Sequence, residues 1–300
     1  MKQAVTKPSF HEYSELVRTE IDQALLDYTD FSAGCPSRLR EAIRHSLMAP
    51  GKRLRPLLVL MSAEACGCQR SQAMPAACAV EMIHTYSLIH DDLPAMDDDD
   101  MRRGQPSCHV AFGQATAILA GDGLLTYAFE VLAVHLQPPH LAARCCAQLA
   151  SAAGVTAMVG GQQDDLEATA GAPTTEAQLL RIHDRKTGSM FRVSLRMGAT
   201  VADACPETLD QLDTYGKKLG LAFQIIDDLL DVQGETQTLG KHAGKDVQQG
   251  KLTFPKLFGV DESRRRASEL IQASIDAIDG LGEPARHLEA LAQYVVERNR

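Results

Sequence analysis

No pair of CxxC elements occurs in the 300 residues, so the eight cysteines do not make a zinc site by spacing. Cys35, Cys66, Cys68, Cys78, Cys108, Cys145, Cys146 and Cys205 stand mostly in apolar, alanine-rich surroundings. Disulfide frameworks belong to small secreted domains, and the segment Met1 to Phe10 lacks the apolar core of a secretory signal. No run of 18 uncharged apolar residues is present, which predicts a chain that does not span a membrane. Basic residues are in deficit, with 30 Lys and Arg against 39 Asp and Glu and a net charge of −9. That balance excludes a generic nucleic-acid binder, which needs a basic footprint, but leaves room for a local basic pocket. These absences predict a cytoplasmic protein with reduced thiols.

Strand-like alternation is also rare, and neither an internal repeat nor a linker interrupts the chain. Ala, Leu, Met, Gln and Glu dominate instead, in helical periodicity. The periodicity predicts helices or helix pairs over 9–30, 36–49, 56–66, 73–93, 114–136, 139–158, 176–200, 206–232 and 262–298. Prolines and a glycine-rich stretch at 234–250 separate them. With 45% hydrophobic residues the chain can bury a sizeable core, and one all-α domain over 1–300 is the simplest organisation. The helices at 73–93 and 219–232 are apolar nearly all round, which places them in the middle of a large bundle.

These two helices carry the strongest acidic clusters. The first is Asp91, Asp92 and Asp97 through Asp100, six carboxylates in ten residues. Pro94 should end the helix near Asp92, so Asp91 and Asp92 sit at a helix C-terminus, where the macrodipole disfavours negative charge. A cation would relieve that strain, although a solvated acidic loop would show the same composition. In the second cluster Gln224, Asp227, Asp228 and Asp231 stand at i, i+3, i+4 and i+7, one stripe of one helix among Leu, Ile and Phe. Carboxylates in apolar surroundings need cations or donors. Hard carboxylate oxygens suit Mg²⁺, which completes its shell with water and substrate phosphates.

Cationic motifs accompany the clusters. Lys52, Arg53 and Arg55 precede a helix, Arg102 and Arg103 follow the first cluster, and Lys186–Thr187–Gly188 interrupts a helix. Lys241 and Lys251 lie in the glycine-rich loop. Arg and Lys are the expected ligands of a diphosphate. His84, seven residues before Asp91 on the same face, is placed either to donate to a second anion or as a satisfied core histidine.

Taken together, GKRLRP at 51–56, HTYSLIHDDLPAMDDDDMRRG at 84–104, GGQQDDLE at 160–167, RKTG at 185–188, FQIIDDLLD at 223–231 and the lysines 241 and 251 resemble the trans-prenyltransferase family, in its bacterial farnesyl diphosphate synthase branch. The resemblance implies an isoprenoid synthase-type helical bundle around a central cavity, a homodimer, and three Mg²⁺ ions held by Asp91, Asp97 and Asp227, with Asp92, Asp228 and Asp231 in support. It implies that Lys52, Arg55, His84 and Arg103 hold isopentenyl diphosphate. Arg102, Lys186, Lys241 and Lys251 would bind the allylic diphosphate (dimethylallyl or geranyl), and Thr187 and Gln224 would face the allylic cation. Farnesyl diphosphate is the implied product, and geranylgeranyl diphosphate the alternative. A class I terpene cyclase and a non-catalytic synthase subunit are rivals; the second aspartate motif and the extra basic loop argue against the former, and the intact clusters against the latter.

Two features stay open. Pro50–Gly51 replaces the usual Gly–Gly before the lysine. Tyr86 lies five residues before Asp91, about 7.5 Å along the axis, but roughly 140° away in azimuth, whereas Ser87 is better aligned. Geometry alone does not choose between them; the resemblance makes Tyr86 the floor that stops the growing chain.

Overall fold

The computed structural model describes residues 9–31, 34–169, 175–233 and 253–297. Helix α1 (Phe10–Tyr28) opens on a capping box in which Glu12 N–H donates to Ser9 Oγ and Ser9 N–H donates to the Glu12 carboxylate. α2 (Ser37–Leu47), α3 (Leu54–Ala65) and α4 (Arg70–Asp91) follow, then a short hairpin of β1 (Met101–Arg102) and β2 (Gln105–Pro106). Next come α5 (Cys108–Phe112), α6 (Gln114–His135), α7 (Pro139–Ala153), α8 (Met158–Thr169) and α9 (Glu176–His183). A π-turn (Asp184–Gly188) leads into α10 (Ser189–Val201) and α11 (Pro206–Gln233). After the break in the described residues come α12 (Phe254–Phe258), α13 (Val260–Ile278) and α14 (Arg286–Glu297). The fold is all-α, as the composition predicts.

α4 is the axis of the bundle, packed by α3, α6 and α10. Eight successive residues, Ala76 to Ile83, are buried, which only a helix enclosed on all sides permits. Small side chains on its upper half let the neighbours approach, and Glu81 is the one charged residue among the eight. α11 runs beside it through contacts with α10 and packs along α13.

Two of the predicted intervals are helix pairs. The interval 176–200 contains the π-turn, where one extra residue per turn shifts the register of everything after it. The interval 262–298 is split by 3₁₀ turns at Asp279–Leu281 and Glu283–Ala285, around Gly280, Gly282 and Pro284. Two stretches, Gln114–His135 and Pro139–Ala168, are long and apolar enough by length and composition to cross a membrane. Counting wholly apolar runs misses them, because Asp122 and Glu130 interrupt the first, and Arg144 and polar residues such as Gln148, Ser151 and Thr156 the second. Within the chain 39% and 28% of these windows are buried, so each offers one face to the core.

Candidate active site

Helix α4 ends as Pro94 requires, with Asp92 as its C-cap. Its free carbonyls are then taken by the acidic loop itself. Asp97 N–H donates to Asp91 O at 2.8 Å, Asp98 N–H to Leu93 O at 3.2 Å and Asp99 N–H to Asp92 O at 3.2 Å. The loop therefore folds back and brings Asp97 beside Asp91. Burial pushes the Asp91 carboxyl up to about 6, with Asp97 and Asp92 adding to the push and Lys186 opposing it.

Asp92 points elsewhere. It is buried and accepts from Arg102 Nε at 3.0 and 3.2 Å and from the second guanidinium nitrogen, an enclosed bidentate pair. Arg102 thus spends its fork on Asp92. The hairpin turn after it has positive φ at both Arg103 (52°) and Gly104 (80°), the geometry of a two-residue hairpin loop. This turn sends Arg103 to the opposite side from Arg102. The Arg103 guanidinium lies over Gly51, where a Cβ would meet its Nη1 at 2.9 Å. A side chain at 51 would displace the Arg103 guanidinium from this position, while Pro50 before it is exposed.

Arg103 Nη2 lies 3.5 Å and Arg55 Nη1 3.2 Å from His84 Nε2. Guanidinium groups only donate, so Nε2 is the acceptor and the imidazole is neutral. Burial holds His84 well below its ordinary value, and Arg55 and Arg103 add to the effect. Burial also pushes Arg55 down to about 10, against the pull of Glu81 and with the help of Arg103. Arg55 Nε is buried with no hydrogen-bond partner among the described residues. This is an under-neutralised cationic pocket, suited to an anion. Lys52, at its mouth, is exposed. Asp227 on α11 reaches Arg55 electrostatically, so the second acidic helix faces the same space.

The stripe on α11 is divided. Gln224, Asp227 and Asp231 are half-buried, but Asp228 is buried on another side. Its Oδ2 accepts from Phe254 N–H at 2.9 Å, the first residue of α12, and lies 3.6 Å from His183 Nε2. Asp228 therefore ties α11 to α9 and α12. Thr187 and Gln224, predicted to act together, are joined by a hydrogen bond from Thr187 Oγ1 to Gln224 Oε1 at 2.9 Å.

Lys186 Nζ pairs with Asp165 Oδ2 at 2.8 Å. Burial opposes its charge, but Asp165 and Asp91 outweigh burial and hold the ammonium above its ordinary value. The π-turn can press against α8 because a Cβ at Gly161 would meet Lys186 N at 2.5 Å. Asp165 received no role from the sequence, although it stands in the GGQQDDLE motif; its partner lies 21 residues away. Lys241 and Lys251 lie outside the described residues. Tyr86 is buried with its ring edge-on to His90, and Ser87 Oγ donates to His84 O at 2.8 Å.

The sequence model of the polyprenyl synthetase family matches residues 36–283. The chain belongs to the polyprenyl synthetase family. It is 46% identical to farnesyl diphosphate synthase of Escherichia coli K12 over 268 residues, covering 87% of this chain and 89% of that one. It is 41% identical to geranylgeranyl diphosphate synthase of Cyanophora paradoxa over 291 residues, covering 96% and 95%. The crystal structure of an FPP/GFPP synthase from Zymomonas mobilis superposes with a TM-score of 0.87 at 36% identity, covering 96% of this chain and 98% of that one. This polyprenyl synthetase is thus a short-chain prenyltransferase, and its relatives divide over product length.

Proposed function

We propose that this prenyltransferase condenses isopentenyl diphosphate with dimethylallyl and then geranyl diphosphate and stops at farnesyl diphosphate. The observation that carries the reading is the pairing of two unlike anion sites. One is the pocket where the Arg55 and Arg103 guanidinium groups meet at the neutral His84 imidazole. The other is the Asp91 and Asp97 pair facing Lys186, which needs added positive charge before it accepts a diphosphate. An enzyme that only cyclises one diphosphate has no use for the first.

Among the described residues no three His, Cys, Asp or Glu side chains converge closely enough to hold a metal unaided. That suits Mg²⁺, which takes one or two carboxylates and completes its shell with water and substrate phosphate. The raised Asp91 carboxyl in a crowd of carboxylates fits such a cation. Asp91, Asp97 and Asp227 would hold the ions, three per site, and the bound metal supplies charge neutralisation for the departing diphosphate. Lys186 adds a fixed charge beside the same oxygens. The Thr187 and Gln224 oxygens face the developing allylic cation. Arg55, Arg103 and Lys52 orient isopentenyl diphosphate so that its double bond attacks. By the family resemblance, the released diphosphate takes the final proton.

Tyr86, buried a turn and a half below Asp91, would be the floor that favours fifteen carbons over twenty. Residues 1–300 are read as one isoprenoid synthase domain. The apolar outer face of α6 to α8, with Ile118, Leu119, Val134, Val155 and Val159 exposed, is read as the seat of a second copy in a homodimer. All eight cysteines are free thiols, which suits the cytoplasm. Incubation with isopentenyl and geranyl diphosphates and Mg²⁺, followed by chromatography of the dephosphorylated products, tests the reading. A single fifteen-carbon alcohol is expected; a twenty-carbon product would make the chain a geranylgeranyl diphosphate synthase.

A further inference from the structure

Two arginines of the GKRLRP segment, two residues apart, are treated in opposite ways. Arg55 has no carboxylate partner among the described residues and faces His84 and Arg103. Arg53 is 3% exposed and holds two carboxylates: its Nε lies 2.7 Å from Asp22 Oδ1 and its Nη1 lies 2.8 Å from Glu81 Oε1. Its backbone is left-handed, with φ 47° at the N-cap of α3. That conformation is disfavoured for a residue with a Cβ, and side-chain anchoring on both flanks holds it there.

Glu81 is the point of interest. It is 1% exposed, on α4, three residues before His84 and therefore on the neighbouring turn of the same face. Its charge acts on Arg55 and on Arg103 as well as on Arg53. A buried carboxylate within reach of three guanidinium groups takes whichever is offered, because an unpaired buried charge is costly. It is bonded to Arg53. Were Arg53 absent, the charge of Glu81 would still act on the two cations that form the anion pocket.

We propose that Arg53 is a positioning residue for isopentenyl diphosphate: by pairing with Glu81 and Asp22 it keeps the Glu81 carboxylate off Arg55 and Arg103, and so keeps the anion pocket vacant for the diphosphate. Asp22 belongs to α1, ahead of the 36–283 stretch that the family's sequence model matches, so the first helix takes part in shaping the pocket. The proposal rests on the assignment of Arg55 and Arg103 to isopentenyl diphosphate made above.

The test compares Arg53→Met with the double variant Arg53→Met/Glu81→Gln, in steady-state assays and by calorimetric binding of isopentenyl diphosphate. Arg53→Met should raise the KM for isopentenyl diphosphate at least tenfold and leave that for geranyl diphosphate within twofold. The double variant should return the KM to within threefold of wild type, because the carboxylate that occupies the pocket is gone. A purely structural arginine, whose loss only strands a buried carboxylate, would instead lower the Tm and raise both Michaelis constants together, and the double variant would restore all three. A double variant as impaired as the single, or a single variant indistinguishable from wild type, overturns the proposal. If Arg53→Met does not fold, Glu81→Gln decides alone: isopentenyl diphosphate should bind as tightly as to wild type or more tightly, and tenfold weaker binding to folded protein overturns it. Arg55→Ala is run alongside. If it leaves the KM for isopentenyl diphosphate unchanged, the assignment of the pocket has failed, and that failure is separate from the guarding role of Arg53.

Discussion

Truncating Arg55 to alanine should damage one substrate and spare the other. In the structure Arg55 donates to His84 at 3.2 Å and keeps its buried Nε without a partner, so its fork has donors to offer an incoming diphosphate. Loss of even one charge-assisted hydrogen bond costs about 1.5–3 kcal/mol. At about 1.4 kcal/mol per decade that is a rise of about 10- to 140-fold in KM for isopentenyl diphosphate, and more if two bonds are lost. Geranyl diphosphate, held at the Asp91 and Lys186 side, should change by less than threefold. A second signature follows from His84. Arg55 is the largest charge holding the imidazole below its ordinary value, after burial itself. Without it His84 titrates closer to neutrality, and the imidazolium partly replaces the lost cation. The KM of the variant for isopentenyl diphosphate should therefore improve as pH falls from 8 to 6, and that of wild type should not. The assay varies each substrate at saturation of the other over that pH range. Equal rises in both Michaelis constants, with no recovery at low pH, would refute the division into two anion sites.

Asp91→Asn should abolish turnover yet stabilise the metal-free protein at pH 8. The Asp91 carboxyl is raised to about 6 in the fold, so its contribution to stability is present below the unfolded value near 4 and is lost as pH rises through 6. The amide removes that cost, on the order of 1–3 kcal/mol, and calorimetry should show a Tm a few degrees above wild type at pH 8 and level with it at pH 4. A Tm below wild type at pH 8 would contradict the burial argument. Tyr86→Ala should move the product from fifteen carbons to twenty or more, read by chromatography; an unchanged product from active enzyme would place the floor elsewhere. Leu119→Glu, on the exposed face of α6, should convert dimer to monomer in light scattering, and an unaltered dimer would move the interface to another face. Asp228→Asn should cost about 1 kcal/mol of stability, through the weakened bond to Phe254 N–H, and reduce turnover less than Asp227→Asn does; equal losses of turnover would put Asp228 among the metal ligands.

Much of this site is legible in the sequence because its signals are local. Helix α4 reads as buried from its own apolar run, and Pro94 marks its end within a residue. Thr187 and Gln224 meet as the motifs suggest. What the sequence does not carry is the choice among local alternatives made by distant parts. Asp227 and Asp228 are neighbours in a DDxxD pattern, and the Phe254 N–H, 26 residues on, and His183 on α9 engage Asp228 away from Asp227. Arg102 and Arg103 are adjacent cations in the sequence, but the left-handed turn at 103 and 104 sends one to Asp92 and the other to His84. The Lys186–Thr187–Gly188 interruption is read from the sequence, but not that it takes the form of a π-turn at Asp184–Gly188, whose extra residue shifts the register of α10. Arg53 and Arg55 read as one basic patch until Glu81 and Asp22 claim the first.

The claim that two diphosphates meet here, one cradled by arginines and one by carboxylates, is tested most directly by stoichiometry. With geranyl diphosphate, isopentenyl diphosphate and Mg²⁺, the account predicts one inorganic diphosphate released per isopentenyl diphosphate consumed, a fifteen-carbon diphosphate as product, and no turnover in excess chelator. Release of diphosphate from geranyl diphosphate at the same rate whether or not isopentenyl diphosphate is present would contradict it.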